Sequence, residues 1–397
     1  MSKNQRVFVL IVSFVMSMCF GAGYAWSVFA HELHTKYAFQ MRDAQMVFGI
    51  FQFFFAAGFL LGGRLVKKTG ARVLAFAGGA VMGAGFFIPG LTQPNLMLLI
   101  TGVGVLGGFG GGLAYISPLE TVQKCFPDKK ALATGISVSG LGIGSLLLAL
   151  FVDYLLRGGM HISNTFKISG SIIIVTVCSL SVFLKAPAGK AGKEETMPLK
   201  YREIFTSKIF WALFSAMSVS IFAGILVIGN VKSMGSMWGV AGALATVGVS
   251  LLSLFNSAGR MAWGYIVHKI GEEKSVYYSI LLQASVLFLS VFFVRNTTLY
   301  YLFAVLAGFN YGCALVVYAS AVSKYFGVER LGQIYPLLFA SNLISGLLAP
   351  PFAGYILDRT GKYDLALLSA SGILLFGLFL FNRLFKPPVS PKKEGAQ

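Results

Sequence analysis

The chain contains twelve apolar runs, each close to the length of a membrane-spanning helix. A helix needs about 20 mostly apolar residues to cross the hydrocarbon core of a bilayer. Charged residues make up only 12% of the 397 residues, about half the share found in ordinary soluble domains. This pattern excludes a water-soluble, disordered or fibrous protein. It predicts an all-α membrane protein with spans at 7–30, 43–63, 72–92, 95–120, 131–156, 164–184, 208–231, 240–267, 275–294, 298–323, 331–357 and 363–383.

The spans divide into two sets of six. The longest hydrophilic stretch follows the sixth span and is rich in Pro, Gly and charged residues, which is typical of a linker. We therefore expect an N-terminal six-helix bundle, a cytoplasmic linker, a C-terminal six-helix bundle and a cytoplasmic tail, at residues 1–185, 186–207, 208–385 and 386–397.

An internal repeat supports this division. Residues in and after the fourth and tenth spans are identical at an offset of 200, namely Phe109, Gly112, Ala114, Lys124 and Phe126 with Phe309, Gly312, Ala314, Lys324 and Phe326. Two six-helix halves in parallel repeat are the layout of major facilitator transporters, which bind substrate between the halves near mid-membrane. The sequence therefore predicts the major facilitator fold.

The basic residues indicate an orientation. The net charge of +18 comes from 32 Lys and Arg against 14 Asp and Glu. With both termini in the cytoplasm, 23 of the 32 lie in cytoplasmic segments, eight in outer segments and one, Arg260, inside a span. Lys and Arg are enriched in cytoplasmic loops of membrane proteins. We expect a multi-pass protein of the cell (inner) membrane that contacts lipid and not nucleic acid.

Arg260 is the one formal charge between Ser233 and Val267. Burying an Arg in hydrocarbon costs at least about 2.5–3.5 kcal/mol, so such a residue should face a cavity or a partner. Its guanidinium can donate two parallel hydrogen bonds to a carboxylate, and Asn256 lies one turn earlier on the same helical face. Asp153 lies near the outer end of its span and is a poor partner. We expect a ligand that brings its own negative charge, with a snorkelling or structurally paired Arg as the alternative.

Four other polar side chains are candidates for the same pocket. Tyr115 and Tyr311 lie in Gly-rich spans, where a phenol can reach a central cavity, and Asn342 and Tyr24 lie in the eleventh and first spans. Each has a structural alternative: a core or interfacial tyrosine, or an asparagine that joins two helices. Pro336, Pro350 and Pro351 should kink or break the eleventh span.

The sequence holds no pattern of catalytic or metal-binding residues. It lacks a nucleotide-binding loop, a zinc-protease motif and a Ser-His-Asp arrangement, and its four His are dispersed. The Gly-rich run at 107–112 lies inside an apolar span, which favours close helix packing over phosphate binding. We expect no enzyme activity, no metal site and no cofactor.

Three segments resemble the oxalate:formate antiporter family, a branch of the major facilitator superfamily. They are GAGYAWSVF at 21–29, FPDKKALATG at 126–135 and NSAGRMAWG at 256–264. The family is also similar to the monocarboxylate transporters, in which an Arg of the eighth helix binds the substrate carboxylate. The resemblance places Arg260 on that Arg, and Asn256 where animal members carry an Asp implicated in proton coupling.

One departure from the family bears on the substrate. The oxalate exchanger is understood to use a second cation, a Lys in the eleventh helix, against its dianion. Asn342 occupies that position here, and no Lys or Arg occurs at 331–357. A single cation matches a monoanion. Tyr115 and Tyr311 correspond in the same resemblance to cavity tyrosines of bacterial lactate-type transporters.

These observations lead to one expected function and two alternatives. We expect a secondary active transporter of small monocarboxylates (lactate, pyruvate or formate), with alternating access, Arg260 on the carboxylate, and proton symport implied by the resemblance. The alternatives are an oxalate or dicarboxylate:formate exchanger and a transporter-like carboxylate sensor. Glu32 and Asp153 remain as acidic candidates for the proton, and we interpret both as structural. The expected partners are a small organic anion, protons and the lipid bilayer, with the protein a monomer.

Overall fold

The computed structural model describes residues 2–185, 201–327 and 330–385. Within them, twelve helices are long and apolar enough to cross a membrane. We label them α1–α12: Lys3–Tyr37, Met41–Thr69, Ala71–Leu91, Leu96–Cys125, Leu132–Arg157, Ile162–Ser181, Lys208–Met237, Gly242–Ile270, Glu272–Phe293, Thr297–Phe326, Gln333–Thr360 and Asp364–Leu384. A short helix, Tyr201–Phe205, precedes α7. Residues 186–200 of the predicted linker 186–207 and the tail 386–397 lie outside the described residues.

The helices follow from the solvent that surrounds them. Hydrocarbon offers no hydrogen-bonding partner, so a spanning backbone must satisfy its own N–H and C=O groups, as a helix does. Polar side chains mark several starting points: Ser2, Asn95, Ser207 and Asn296 each accept a hydrogen bond from a first-turn amide of α1, α4, α7 and α10. With twelve spans both chain ends lie on one face, which we call the terminal face; the other is the opposite face.

The eleventh helix is interrupted once. Two helical segments, Leu331–Phe339 and Ser341–Thr360, meet at Ala340, whose amide donates to the carbonyl oxygen of Pro336 at 3.0 Å. Pro350 and Pro351 lie inside the second segment without a break, and a kink there stays a prediction. The interruption therefore separates a short segment on the terminal side from a long segment on the opposite side.

The same close helix contact occurs in each half. A Cβ atom placed on Gly58 of α2 would lie 2.4 Å from the carbonyl oxygen of Phe109 on α4. At the equivalent place, a Cβ on Gly259 of α8 would lie 2.1 Å from the carbonyl oxygen of Phe309 on α10. Both backbones approach to a distance that only glycine permits. The repeat seen in the sequence is thus a repeat of helix packing.

Polar contacts join the two halves. Ser145 of α5 and Ser253 of α8 share a hydrogen bond between their hydroxyls, 2.9 Å long. Gln45 of α2 donates its side-chain amide to the carbonyl oxygen of Gly229 on α7, at 2.5 Å. These contacts are formed between helices of different halves and place the interface between α2, α5, α7 and α8.

The end of α7 corrects one expectation. The sequence analysis ends the seventh span at 231 and places Lys232 in an outer loop, but α7 continues to Met237 and Lys232 is only 5% exposed. Its ammonium lies 2.5 Å from the carboxylate of Asp153 on α5. A buried Lys is tolerated because this partner compensates its charge.

We predict that cysteines at positions 145 and 253 cross-link the halves. The two hydroxyls lie within hydrogen-bonding distance, so the variant Ser145→Cys, Ser253→Cys should bring two thiols within disulfide reach. The test uses a chain whose Cys19, Cys125, Cys178 and Cys313 are replaced by Ser, with a protease site inserted at 186–200. After oxidation and cleavage, the halves should stay joined on a denaturing gel and separate after reduction.

The single-cysteine variants are the controls, and their halves should separate with or without oxidant. Separation of the halves of the oxidised double variant would contradict the α5–α8 contact.

Candidate functional site

One turn of α8 carries the two residues that the sequence singles out. Asn256 is buried, at 2% exposure, and Arg260 follows one turn later. The backbone of α10 packs directly on this turn: a Cβ atom on Gly312 would lie 2.5 Å from the carbonyl oxygen of Asn256 and 2.8 Å from the amide nitrogen of Arg260. The close approach fixes where both side chains begin.

The guanidinium of Arg260 is incompletely satisfied. Its Nε and Nη1 atoms are buried without a hydrogen-bond partner, and so is the Oδ1 atom of Asn256. Among the described residues, no carboxylate forms a salt bridge with Arg260. Unpaired buried polar groups are costly, and a charged one more so. The arrangement therefore suits a ligand that brings acceptor oxygens and a negative charge.

Tyrosines from both halves surround this cation. Tyr115 of α4, Tyr311 of α10 and Tyr335 of α11 all lie close enough to Arg260 for their hydroxyls to interact with its charge. Tyr24 lies in a 3₁₀ segment of α1, and the centroid of its ring is 6.5 Å from that of Tyr311, edge to face. The structure therefore brings Tyr24, Tyr115 and Tyr311 together with Arg260 between the two halves.

Aromatic rings enclose the terminal side of this group. The ring centroid of Tyr115 lies 6.0 Å from Phe20, 5.7 Å from Phe55 and 5.8 Å from Phe59. Phe59 of α2 also meets Phe339 of α11, at 5.7 Å between centroids. An apolar wall lowers the local dielectric constant and strengthens any charge pair formed at Arg260.

Asn342 is buried one turn before Gly346, at which an added Cβ atom would lie 2.8 Å from Cβ of Gln52 on α2. Its place in the same pocket stays a prediction.

Tyr335 is the residue that the sequence analysis missed. Its signal was its position immediately before Pro336, in the segment that ends at the interruption of α11. Its hydroxyl donates to the carbonyl oxygen of Leu315 on α10, at 3.2 Å.

Comparisons with known proteins agree with this architecture. The sequence model of the Major Facilitator Superfamily matches residues 7–294 and 224–397. An oxalate:formate antiporter from Oxalobacter formigenes is 26% identical over 395 residues, which cover 97% of this chain and 93% of the antiporter. Monocarboxylate transporter 11 from Mus musculus is 25% identical over 345 residues, which cover 82% of this chain and 74% of the transporter.

A solved structure shows the same fold. It is the crystal structure of a bacterial homolog of the human lysosomal transporter Spinster, in an inward-facing and unoccupied conformation. The TM-score is 0.76 at 16% identity, and the match covers 98% of this chain and 100% of the other. At this level of identity the likeness concerns the fold alone.

We predict that Gly259→Ala destabilises the protein. The added methyl group would meet the carbonyl oxygen of Phe309 and force α8 away from α10, and overpacking of this kind costs about 1–3 kcal/mol. The midpoint of thermal unfolding in detergent should fall. Gly264→Ala, five residues later on the same helix, is the matched control, because the nearest atom to its methyl group would be 3.6 Å away on Val316.

The control variant should be at least as stable as the parent, since Ala is the better helix former by about 1 kcal/mol. Equal melting of the two variants would contradict the close α8–α10 contact.

Proposed function

The chain belongs to the Major Facilitator Superfamily, a family of transporters and not of enzymes, and from this premise we propose that it carries small monocarboxylates across the cell membrane. Lactate, pyruvate and formate are the substrates of the proposed type. The single observation that carries the proposal is a half-buried Arg260 between the two halves, whose buried Nε and Nη1 atoms have no hydrogen-bond partner.

The charge of the site supports a monoanion. Arg260 supplies one positive charge, and its unpartnered Nε and Nη1 atoms leave N–H groups free to donate to a carboxylate. Asn342 takes the place of a second cation, and 331–357 holds no Lys or Arg. A dianion would keep one charge uncompensated in an apolar surrounding, whereas a monocarboxylate leaves the pair neutral.

The remaining residues would shape and orient the substrate. The Oδ1 atom of Asn256 lacks a partner and can accept a hydrogen bond from a hydroxyl such as that of lactate. Tyr115 and Tyr311 would close the pocket from the two halves, with Tyr24 behind Tyr311. The role proposed for Asn342 is to keep the α2–α11 wall polar and uncharged.

Alternating access would carry the neutral pair across. In this mechanism the two halves rock about a fixed site near mid-membrane, and Arg260 with the tyrosines from both halves would form that site. The basic residues at the terminal face support a cytoplasmic position for both chain ends. We propose that the protein works as a monomer.

A proton is the proposed coupling ion, by resemblance to monocarboxylate transporters. The two acids considered for it are already engaged: Glu32 pairs with Lys36 at 2.8 Å, and Asp153 pairs with Lys232. This supports a structural role for both acids. A proton would then accompany the substrate carboxylate that is paired with Arg260.

A second candidate function is the exchange of oxalate for formate. It is favoured by the similarity to the oxalate:formate antiporter. Formate is a monoanion and fits the same single cation, so the two candidates differ chiefly in whether a dianion is accepted.

We predict that Arg260→Gln removes monocarboxylate binding. Hydrogen bonds to charged groups contribute about 1.5–3 kcal/mol, so the affinity for lactate should fall by about ten- to a hundredfold. The measurement is the shift in unfolding temperature with increasing lactate, together with uptake into proteoliposomes. Arg295→Gln is the control, because Arg295 hydrogen-bonds to nearby backbone carbonyls at the end of α9.

A lactate affinity in Arg260→Gln equal to that of the parent would remove the basis of the proposal. Binding that persists in the parent without any flux would favour the sensor alternative.

We predict that the parent transports lactate in preference to oxalate, and that Asn342→Lys reverses part of this preference. The added ammonium would supply the second charge that a dianion requires. The measurement is the ratio of labelled lactate to labelled oxalate taken up by proteoliposomes, with Asn342→Gln as the uncharged control. Oxalate uptake by the parent comparable to that of lactate would instead support the exchanger.

A further inference from the structure

We propose that two carboxylates, Asp153 and Asp358, lock the opposite face by docking each half onto the other. Asp153 belongs to the N-terminal half and reaches α7 and α8, and Asp358 belongs to the C-terminal half and reaches α2. The inference rests on the protein being an alternating-access transporter, and not on which anion it carries.

The first lock is a buried ionic cluster. One oxygen of Asp153 accepts from the ammonium of Lys232 at 2.5 Å and from the hydroxyl of Thr246 at 2.8 Å. Its other oxygen lies 2.7 Å from Nε of Arg157 on the same helix. A single carboxylate on α5 thus holds α7 and α8 together with its own half.

Burial makes this cluster sensitive to separation of the halves. Asp153 and Lys232 are 8% and 5% exposed. Removing one member of a buried pair leaves an uncompensated charge, which is strongly destabilising. When the halves separate, water can solvate both Asp153 and Lys232. The two charged groups can therefore lose contact without a large energetic penalty only in the open state. The pair therefore stabilises the closed arrangement as long as both charges are present.

The second lock caps a helix of the other half. The helix α2 begins at Met41, and its N-cap residue, Gln40, makes no side-chain hydrogen bond. The first-turn amides of Met41 and Arg42 instead donate to the two oxygens of Asp358, at 2.9 and 2.8 Å. A carboxylate is favourable at a helix N-terminus, where the backbone amides are free and the dipole is positive.

The two locks occupy equivalent places in the internal repeat. Asp153 lies near the end of α5 and contacts the beginning of α8, and Asp358 lies near the end of α11 and contacts the beginning of α2. In chain order α11 comes six helices after α5, and α8 comes six helices after α2. The two pairs of contacting helices are therefore counterparts in the repeat. The same device thus closes both sides of the opposite face, with the buried Asp153 cluster the stronger because Asp358 is exposed.

The reporter for the test is a cysteine at position 250, in a chain without native cysteines. Ser250 is 5% exposed and lies one turn from Thr246, on the side of Ser253. The hydroxyl contact of Ser253 with Ser145 shields it from the terminal face. A maleimide should therefore reach Cys at this position only when α5 and α8 separate. The rate of labelling is measured in detergent.

Asp153→Asn should raise the labelling rate by on the order of tenfold, and Lys232→Gln should raise it less, because Arg157 still pairs with Asp153. The double variant Asp153→Asn with Lys232→Gln should label more slowly than Asp153→Asn alone, because it leaves no buried ammonium without a partner. Asp358→Asn should raise the labelling rate less than Asp153→Asn does, because Asp358 is exposed and joins a different pair of helices, α11 and α2. Lys36→Gln is the control: Lys36 pairs with Glu32 of its own helix, so its loss should leave the rate unchanged.

Unchanged labelling in both Asp153→Asn and Lys232→Gln would overturn the proposal, and so would a double variant that labels as fast as Asp153→Asn alone. If the single-charge variants fail to fold, Thr246→Val decides, since it keeps both charges and loses one hydrogen bond to Asp153. Its rate should rise by about threefold, and no rise would refute the lock. Arg260→Gln, measured in parallel, should not label faster than the parent, which separates a failure of the pocket from a failure of the lock.

Discussion

Hydrocarbon cannot hydrogen-bond, and the structure depends at every level on how its polar groups meet that constraint. The backbone meets it by forming helices. Among charged side chains, Lys232 and Arg260 meet it in opposite ways. Lys232 is paired with Asp153 across the two halves, whereas Nε and Nη1 of Arg260 have no partner. The paired cation is a structural solution, and the unpaired one is the feature on which the proposed function rests.

The internal repeat determines where that unpaired cation can lie. Contacts at Gly58 and Gly259 bring α2 against α4 and α8 against α10 in the same way, so each half is held by direct backbone packing. Between the halves, side-chain hydrogen bonds such as that of Ser145 with Ser253 accompany close packing: a Cβ atom on Gly49 of α2 would lie 2.5 Å from the carbonyl oxygen of Leu347 on α11. Arg260 lies on the turn of α8 against which the backbone of α10 packs.

The sequence predicted the parts of this structure that depend on composition along the chain. Twelve spans follow from apolar length, and Arg260 with Asn256 follows from one charge in a long apolar stretch. Lys232 was misplaced because a Lys at the end of an apolar run is typical of a membrane interface, and its partner Asp153 is 79 residues away. Tyr335 was missed because the rotation of one helix against another depends on packing partners that no local pattern contains.

The distribution of charge also suggests why substrate and conformation would be coupled. With the opposite face closed, Asp153 is paired with Lys232 and Asp358 caps α2, so the charges of these contacts are compensated. The charge of Arg260 at the centre is not. In the proposed cycle, a carboxylate that neutralises Arg260 lowers the cost of enclosing the site from both faces, because a neutral pair tolerates a low dielectric better than a lone cation does. The substrate would then favour the enclosed state through its differential interaction with it, as any ligand-driven change of conformation requires.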